Sequence, residues 1–229
     1  MKLTFFAKAK GNKAGELYIY QDIGDGWFGG ITAQSFADAV KELGAVDTLD
    51  IYVNSPGGSV FDGVAIYNQL KRIAAKKTVH IDGIAASIAS IICMAGDVIK
   101  CAPNAMMMIH NPWGMCVGTA EDMRATAGTL DQIRDTLLDT YVARTKGDKA
   151  KISDMMAAET WMKAEDAKAQ GFVDEIEEQT MEPADMAFAL LNKFKNTPAP
   201  LAEKSRATNV LIAKMGMSKN LRRASPTQN

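Results

Sequence analysis

An α/β fold is predicted by two observations. Short apolar, strand-like runs alternate with amphipathic helical stretches through residues 17–176, and glycines or N-cap residues stand at most of the joints. The chain of 229 residues is long enough for one sizeable domain with a core and an additional tail.

The elements follow in order. Leu17 to Tyr20 is a strand. Thr32 to Leu43 is a helix with Phe36, Ala39, Val40 and Leu43 on one face and Gly44 as its stop. Leu49 to Asn54 is a strand, and Ser59 to Ala75 a helix with Val60, Val64, Ile66, Leu70 and Ile73 as its apolar residues. Thr78 to Ile81 is the next strand. Ser87 to Ala95 is a short, wholly apolar helix, so burial is expected. Val98 to Cys101 and Ala105 to Ile109 are two more strands.

Thr119 to Lys146 is the longest helix. Thr119 and Asp122 form a capping-box pattern, Met123, Ala127, Leu130, Leu137 and Tyr141 recur at helical spacing, and Gly147 ends it. About 28 residues at about 1.5 Å each span about 42 Å, more than a small domain's diameter, so this helix is expected to project and pack against a partner subunit. Ala150 to Ala158 and Ala164 to Gln170 are helices, the second stopped by Gly171, and Phe172 to Ile176 is the last strand. This places the domain at residues 1–178. Residues 179–229 are expected to hold a linker, a short helix up to Lys195 and a basic, disordered tail.

Composition excludes several classes. Apolar residues at 47% and charged residues at 23% are ordinary for a globular protein, and a net charge of −1 gives no drive toward nucleic acid or membrane. Residues 195–229 carry seven Lys or Arg against one Glu, so the tail is basic and the remainder acidic. Cys93, Cys101 and Cys116 make no CxxC pair and no ligand spacing with a histidine, so reduced thiols are expected and a metal site is not. The first residues hold too short an apolar stretch for a signal peptide, and no run approaches a membrane span. A cytoplasmic location is expected.

Candidate chemistry lies at three joints. Asn54-Ser55-Pro56-Gly57-Gly58-Ser59 follows a strand and opens a helix, and paired glycines let backbone N–H groups approach a phosphate or an oxyanion. Neither a dinucleotide nor a P-loop fingerprint is present. Ser87 stands among small residues between a strand and a helix, where it is either an N-cap or an exposed nucleophile. His110 follows the apolar run before it and is either a turn histidine or a general base. His80, the other histidine, alternates with Val79 and Ile81 and should face away from them. Ser55, Ser59 and Ser90 are rival serines, with Ser59 better read as an N-cap and Ser90 as packed in its helix.

Four phrases in order carry a family resemblance over about residues 48–176. They are Tyr52-Val53-Asn54-Ser55-Pro56-Gly57-Gly58, Gly83-Ile84-Ala85-Ala86-Ser87-Ile88-Ala89, Met108-Ile109-His110-Asn111-Pro112 and Ala169-Gln170-Gly171-Phe172-Val173-Asp174. With them the sequence resembles the Clp protease proteolytic subunit family, ClpP. The resemblance implies a ClpP/crotonase-type fold of repeated ββα units with a projecting long helix. It also implies a serine endopeptidase with Ser87 as nucleophile, His110 as general base, and Gly58 and Ile88 supplying oxyanion N–H groups. Gly57 and Pro112 fall in substrate-binding positions. The family's third member is an Asp; counting back from the last phrase puts Glu159 there, with Asp154 and Asp166 as fallbacks. Glu is one methylene longer, yet it can orient an imidazole as Asp does.

The segment Tyr18 to Gly30 does not look like ClpP's N-terminal region. With the Glu159-Thr160-Trp161 phrase, it resembles the ClpP-related proteases of phages and prophages, thought to trim capsid or scaffold proteins during head maturation. The partners implied are a protein or peptide substrate, a homo-oligomeric ring of this chain, and a capsid or scaffold protein; no ATPase partner and no cofactor are expected. Other readings of the residues are an acyl-CoA hydratase-like enzyme of the same fold, a ring scaffold with a degenerate triad, and a Ser–Lys dyad like that of signal peptide peptidase A, with Lys100 the nearest lysine after Ser87.

Overall fold

The structure is a computed structural model that describes residues 5–10, 13–25, 30–177, 194–199 and 201. The chain forms two units, Met1–Met186 and Ala187–Asn229. In the second, the Leu201 N–H donates to the Pro198 carbonyl at 3.0 Å. The expected linker, most of the short helix and most of the basic tail lie outside the described residues.

Eight strands of the first unit, β1 (Phe5–Lys10), β2 (Ala14–Ile19), β3 (Thr48–Ser55), β4 (Lys76–Ala86), β5 (Val98–Cys101), β6 (Met106–Ile109), β7 (Thr160–Lys163) and β8 (Glu175–Ile176), join one sheet. Its main path runs β1-β2-β3-β4-β5-β8, with β6 and β7 branching from β4. Only β1 with β2 and β6 with β7 are antiparallel. The parallel pairs need crossovers, and the helices α1 (Ala33–Leu43), α2 (Val60–Arg72) and α3 (Ile88–Cys93) supply several of them. The remaining helices are α4 (Ala120–Thr145), α5 (Lys149–Ala157) and α6 (Ala164–Ala169).

Side-chain alternation explains how the sheet is covered. Leu49, Ile51 and Val53 on β3 and Val79 and Ile81 on β4 enter the core with Phe36, Ile66, Leu70 and the whole of α3. The intervening residues form a polar, aromatic face. Tyr18, Tyr52 and His80 stack across three strands at centroid separations of 4.7 and 4.8 Å. His80 Nδ1 lies 3.1 Å from Glu177 and Nε2 lies 3.4 Å from Asp50, and the Tyr20 hydroxyl donates to Asp82. His80 thus lies where strand alternation put it, off the core side of β4.

Caps explain the helix boundaries. Thr32 closes a capping box on α1, Ser59 accepts the Asp62 N–H at the start of α2, and Thr119 and Asp122 form the box on α4. The α2–α3 crossing is tight at Gly63, where an added Cβ would lie 2.2 Å from Ile88 Cγ1. Gly63→Ala is therefore expected to destabilise the fold by about 1–3 kcal/mol, read as a lowered thermal midpoint; an unchanged midpoint would contradict this packing.

Several elements differ from expectation. Strand β4 runs to Ala86, five residues beyond the Ile81 expected. Strand β1 and the four-residue β7 were not anticipated. The last strand shrinks to Glu175–Ile176, because Phe172 and Val173 turn into the core beneath α4, with Phe172 edge-on to Tyr141 at 5.6 Å. The long helix ends on Lys146 in a left-handed conformation (φ 57°), one residue before the expected Gly147. Its buried residues, Leu137, Leu138 and Tyr141, lie in the C-terminal half, while residues 120–125 are exposed. Among the described residues no helix is long and apolar enough to cross a membrane.

Candidate active site

The site forms where the sheet branches. The first half of β4 pairs with β5 and its last residues pair with β6, Ile84 to Met106 and Ala86 to Met108. A register shift opposite β3 makes this bend, since Val53 pairs with Ile81 but Ser55 with Ala85. The Asn54 side chain fills the irregularity by accepting the Ile84 N–H at 3.2 Å. The end of β4 is thereby brought beside the end of β6, and the Ser87 N–H continues the ladder by donating to the Met108 carbonyl at 2.9 Å.

Ser87 follows directly with a positive φ (φ 55°, ψ −129°), uncommon for a residue with a side chain. Ser87 is the N-cap residue of α3 by position, but its hydroxyl makes no cap bond. Instead Ser87 Oγ lies 2.7 Å from His110 Nε2. Strained backbone of this kind persists where surrounding structure enforces it, often at reactive sites.

Register also delivers the carboxylate. Ile109 pairs with Thr160 in the antiparallel β6–β7 ladder, so His110 and Glu159, one step beyond, stand opposite each other. Glu159 is only 9% exposed and also has positive φ (51°). Its turn is held by its own N–H on the Met156 carbonyl, and the Asn111 N–H reaches that same carbonyl. The Trp161 indole N–H donates to Glu159 Oε1 at 3.3 Å. The sequence offers Trp161 only as part of the Glu159-Thr160-Trp161 phrase; its place two residues beyond the acid was the available signal for this contact. Asp154 and Asp166 are exposed on α5 and α6.

Burial lowers the His110 pKa below the ordinary imidazole value, and the Glu159 charge opposes that shift. The imidazole is therefore mainly neutral at neutral pH.

The paired glycines close the other side. The Ile23 N–H donates to the Gly57 carbonyl at 2.9 Å and the Ser59 N–H to the Ile23 carbonyl at 2.8 Å, which turns the Gly58 N–H away from Ile23. A Cβ on Gly57 (φ 91°) would lie 2.8 Å from Ser87 Cβ and 3.2 Å from the Ile88 nitrogen, so only glycine lets this turn approach the serine. The Gly57 N–H is itself bound to Ser55 Oγ at 3.2 Å. Pro112 is half-buried two residues beyond His110.

The rival groups have other partners. Ser55 Oγ donates to the Gln21 carbonyl at 2.6 Å, Ser59 caps α2, and Ser90 Oγ donates to the Ser87 carbonyl at 2.6 Å. Lys100 pairs with Glu175 at 3.1 Å. The arrangement that remains is a serine hydroxyl on a neutral imidazole beside a buried carboxylate, which is chemically equipped for acyl transfer.

Comparison with known proteins agrees. The family profile described as Clp protease matches residues 14–180, and the chain belongs to that family. The ATP-dependent Clp protease proteolytic subunit of Bacteroides thetaiotaomicron is 32% identical over 150 residues, covering 63% of this chain and 68% of that one. The subunit of the same name from Deinococcus radiodurans is 34% identical over 136 residues, 58% of this chain and 67% of the relative. That from Bacteroides fragilis is 34% identical over 151 residues, 63% and 72%. The protein is a serine peptidase, and the acyl-CoA reading of its fold falls away.

Proposed function

We propose that this protein is a serine endopeptidase in which Ser87 is the nucleophile, His110 the general base and Glu159 the orienting acid. The observation that carries the reading is the 2.7 Å contact between Ser87 Oγ and His110 Nε2, with Glu159 opposite in register. Ser87 Oγ attacks the scissile carbonyl while His110 Nε2 takes its proton, and the Glu159 carboxylate stabilises the imidazolium. The N–H groups of Gly58 and Ile88 receive the oxyanion, each such donor being worth about 3–4 kcal/mol. Collapse of the tetrahedral adduct expels the amine, which leaves with the proton held by His110. Water, deprotonated by His110, then releases the acyl group. Gly57 and Pro112 border the peptide. The cleavage step uses no cofactor and no nucleotide.

The pH dependence of kcat/KM on a fluorogenic peptide tests this assignment. Because only neutral His110 accepts the proton, activity should rise with pH through a midpoint below the ordinary value of about 6.5. Glu159→Gln removes the charge that holds the imidazole pKa up, so it should move the midpoint lower still and reduce kcat by about 10²–10⁴-fold. A wild-type rate unchanged between about pH 4 and 8 would rule out His110 as the base.

A homo-oligomeric ring is the assembly we assign. Met115 (92% exposed) and Val117 (fully exposed) stand with Trp113 and Met123 on the loop and first turn leading into the exposed half of α4. Such grouped apolar side chains mark an interface. Val117→Asp combined with Met123→Asp should reduce the mass seen by sedimentation; an unchanged assembly would place the contact elsewhere.

The finer reading is that the substrates are capsid or scaffold precursors of a phage or prophage, and it rests on the Tyr18 to Gly30 and Glu159-Thr160-Trp161 phrases. The relatives are named ATP-dependent, but we assign this chain no ATPase partner. Incubating the protein with the capsid and scaffold proteins of its phage should give discrete cleavage without ATP, and intact precursors would refute this.

A further inference from the structure

We infer that Ser90 and Tyr141 are positioning residues that aim one oxyanion donor, an inference that rests on the proposed role of Ser87. The Ser87 carbonyl and the Ile88 N–H belong to one peptide plane, so fixing the direction of the carbonyl fixes that of the N–H opposite it. Two bonds from Ser90 hold that carbonyl: its N–H at 3.0 Å and its Oγ at 2.6 Å. The backbone bond alone is the ordinary first turn of a helix. The hydroxyl bond is short, and it is held in turn by Tyr141.

Ser90 Oγ lies 2.7 Å from the Tyr141 hydroxyl, and both residues are buried. A serine hydroxyl has one proton, and that proton goes to the Ser87 carbonyl, so the phenol must donate to Ser90 Oγ. The chain of donors therefore runs from Tyr141 on α4 through Ser90 on α3 to the Ser87 carbonyl. Burial raises the Tyr141 pKa, so the phenol keeps its proton through the working range. The relay holds a peptide that follows a residue at φ 55°, a conformation with little intrinsic preference for its place. Tyr141 touches no reacting atom; it acts through Ser90 on the direction of the Ile88 N–H.

Steady-state kinetics on a fluorogenic peptide with Tyr141→Phe, Ser90→Ala and the double variant test the relay, with Ser87 labelling by a fluorophosphonate followed in parallel. Each single change should lower kcat about tenfold with KM within about twofold. The inhibition constant of a peptide aldehyde, whose tetrahedral adduct places an oxygen in the hole, should weaken by the same factor as kcat/KM. The double variant separates positioning from mere structure. Removing both hydroxyls leaves no orphaned buried group, so the thermal midpoint should recover toward wild type. Activity should nevertheless stay as low as in Ser90→Ala. Recovery of activity together with stability in the double variant, or wild-type kcat in both single variants, would overturn the relay while Ser87 labelling stood. A wild-type protein unlabelled at Ser87 would overturn the nucleophile and the relay together.

Discussion

Replacing His110 with alanine is expected to lower peptide hydrolysis by about 10⁶-fold, the scale seen when a serine triad loses its base. The change deletes the atom 2.7 Å from Ser87 Oγ, leaving a neutral hydroxyl with nothing to receive its proton. It also removes the group on which the Glu159 charge acts. His110 sits at the end of β6, half-buried and outside the hydrophobic core, so the fold should survive. Circular dichroism and sedimentation should match the wild type while kcat collapses. Ser87→Ala should reach the same floor, and the double variant should be no worse than either, because the two act as one unit. Independent, multiplying losses would mean that serine and imidazole do not share a step.

Gly58→Ala is expected to lower kcat by about 10²–10³-fold. A Cβ there would stand 2.1 Å from the Ile23 carbonyl oxygen and 3.0 Å from the Ile23 nitrogen. These are backbone atoms of the bridge that turns the Gly58 N–H outward, so they cannot move without breaking the two bonds of that bridge. The residue also has φ 149°, which an alanine adopts only at a cost of about 1–3 kcal/mol. The thermal midpoint should fall as well, because the added Cβ displaces the Ile23 backbone. Retention of more than a tenth of wild-type kcat would remove Gly58 from the oxyanion hole.

Legibility in the sequence followed the range of the interactions. Helix ends set by local capping, at Thr32, Ser59 and Thr119, could be read directly. Ser87 and His110 stood out because each follows an apolar strand, and the structure shows why they meet: β4 and β6 are parallel neighbours that end together. Glu159 was reached only by counting from a family phrase. Its position depends on the antiparallel β6–β7 register, and β7 is too short to announce itself. The Asn54 bridge, the Trp161 contact and the Tyr141–Ser90 bond were not legible. Ser90 and Tyr141 are 51 residues apart, and nothing in the local pattern of either points to the other. The final strand was overread because Phe172 and Val173 satisfy an apolar strand pattern equally well as core residues beyond a helix stop.

The most direct test of the account is labelling of the purified, assembled protein with a fluorophosphonate, followed by mass spectrometric location of the adduct, with Ser87→Ala and His110→Ala alongside. One adduct is expected, on Ser87, absent from Ser87→Ala and strongly suppressed in His110→Ala. Labelling at another serine, or labelling of Ser87 that persists at full rate without His110, would contradict it.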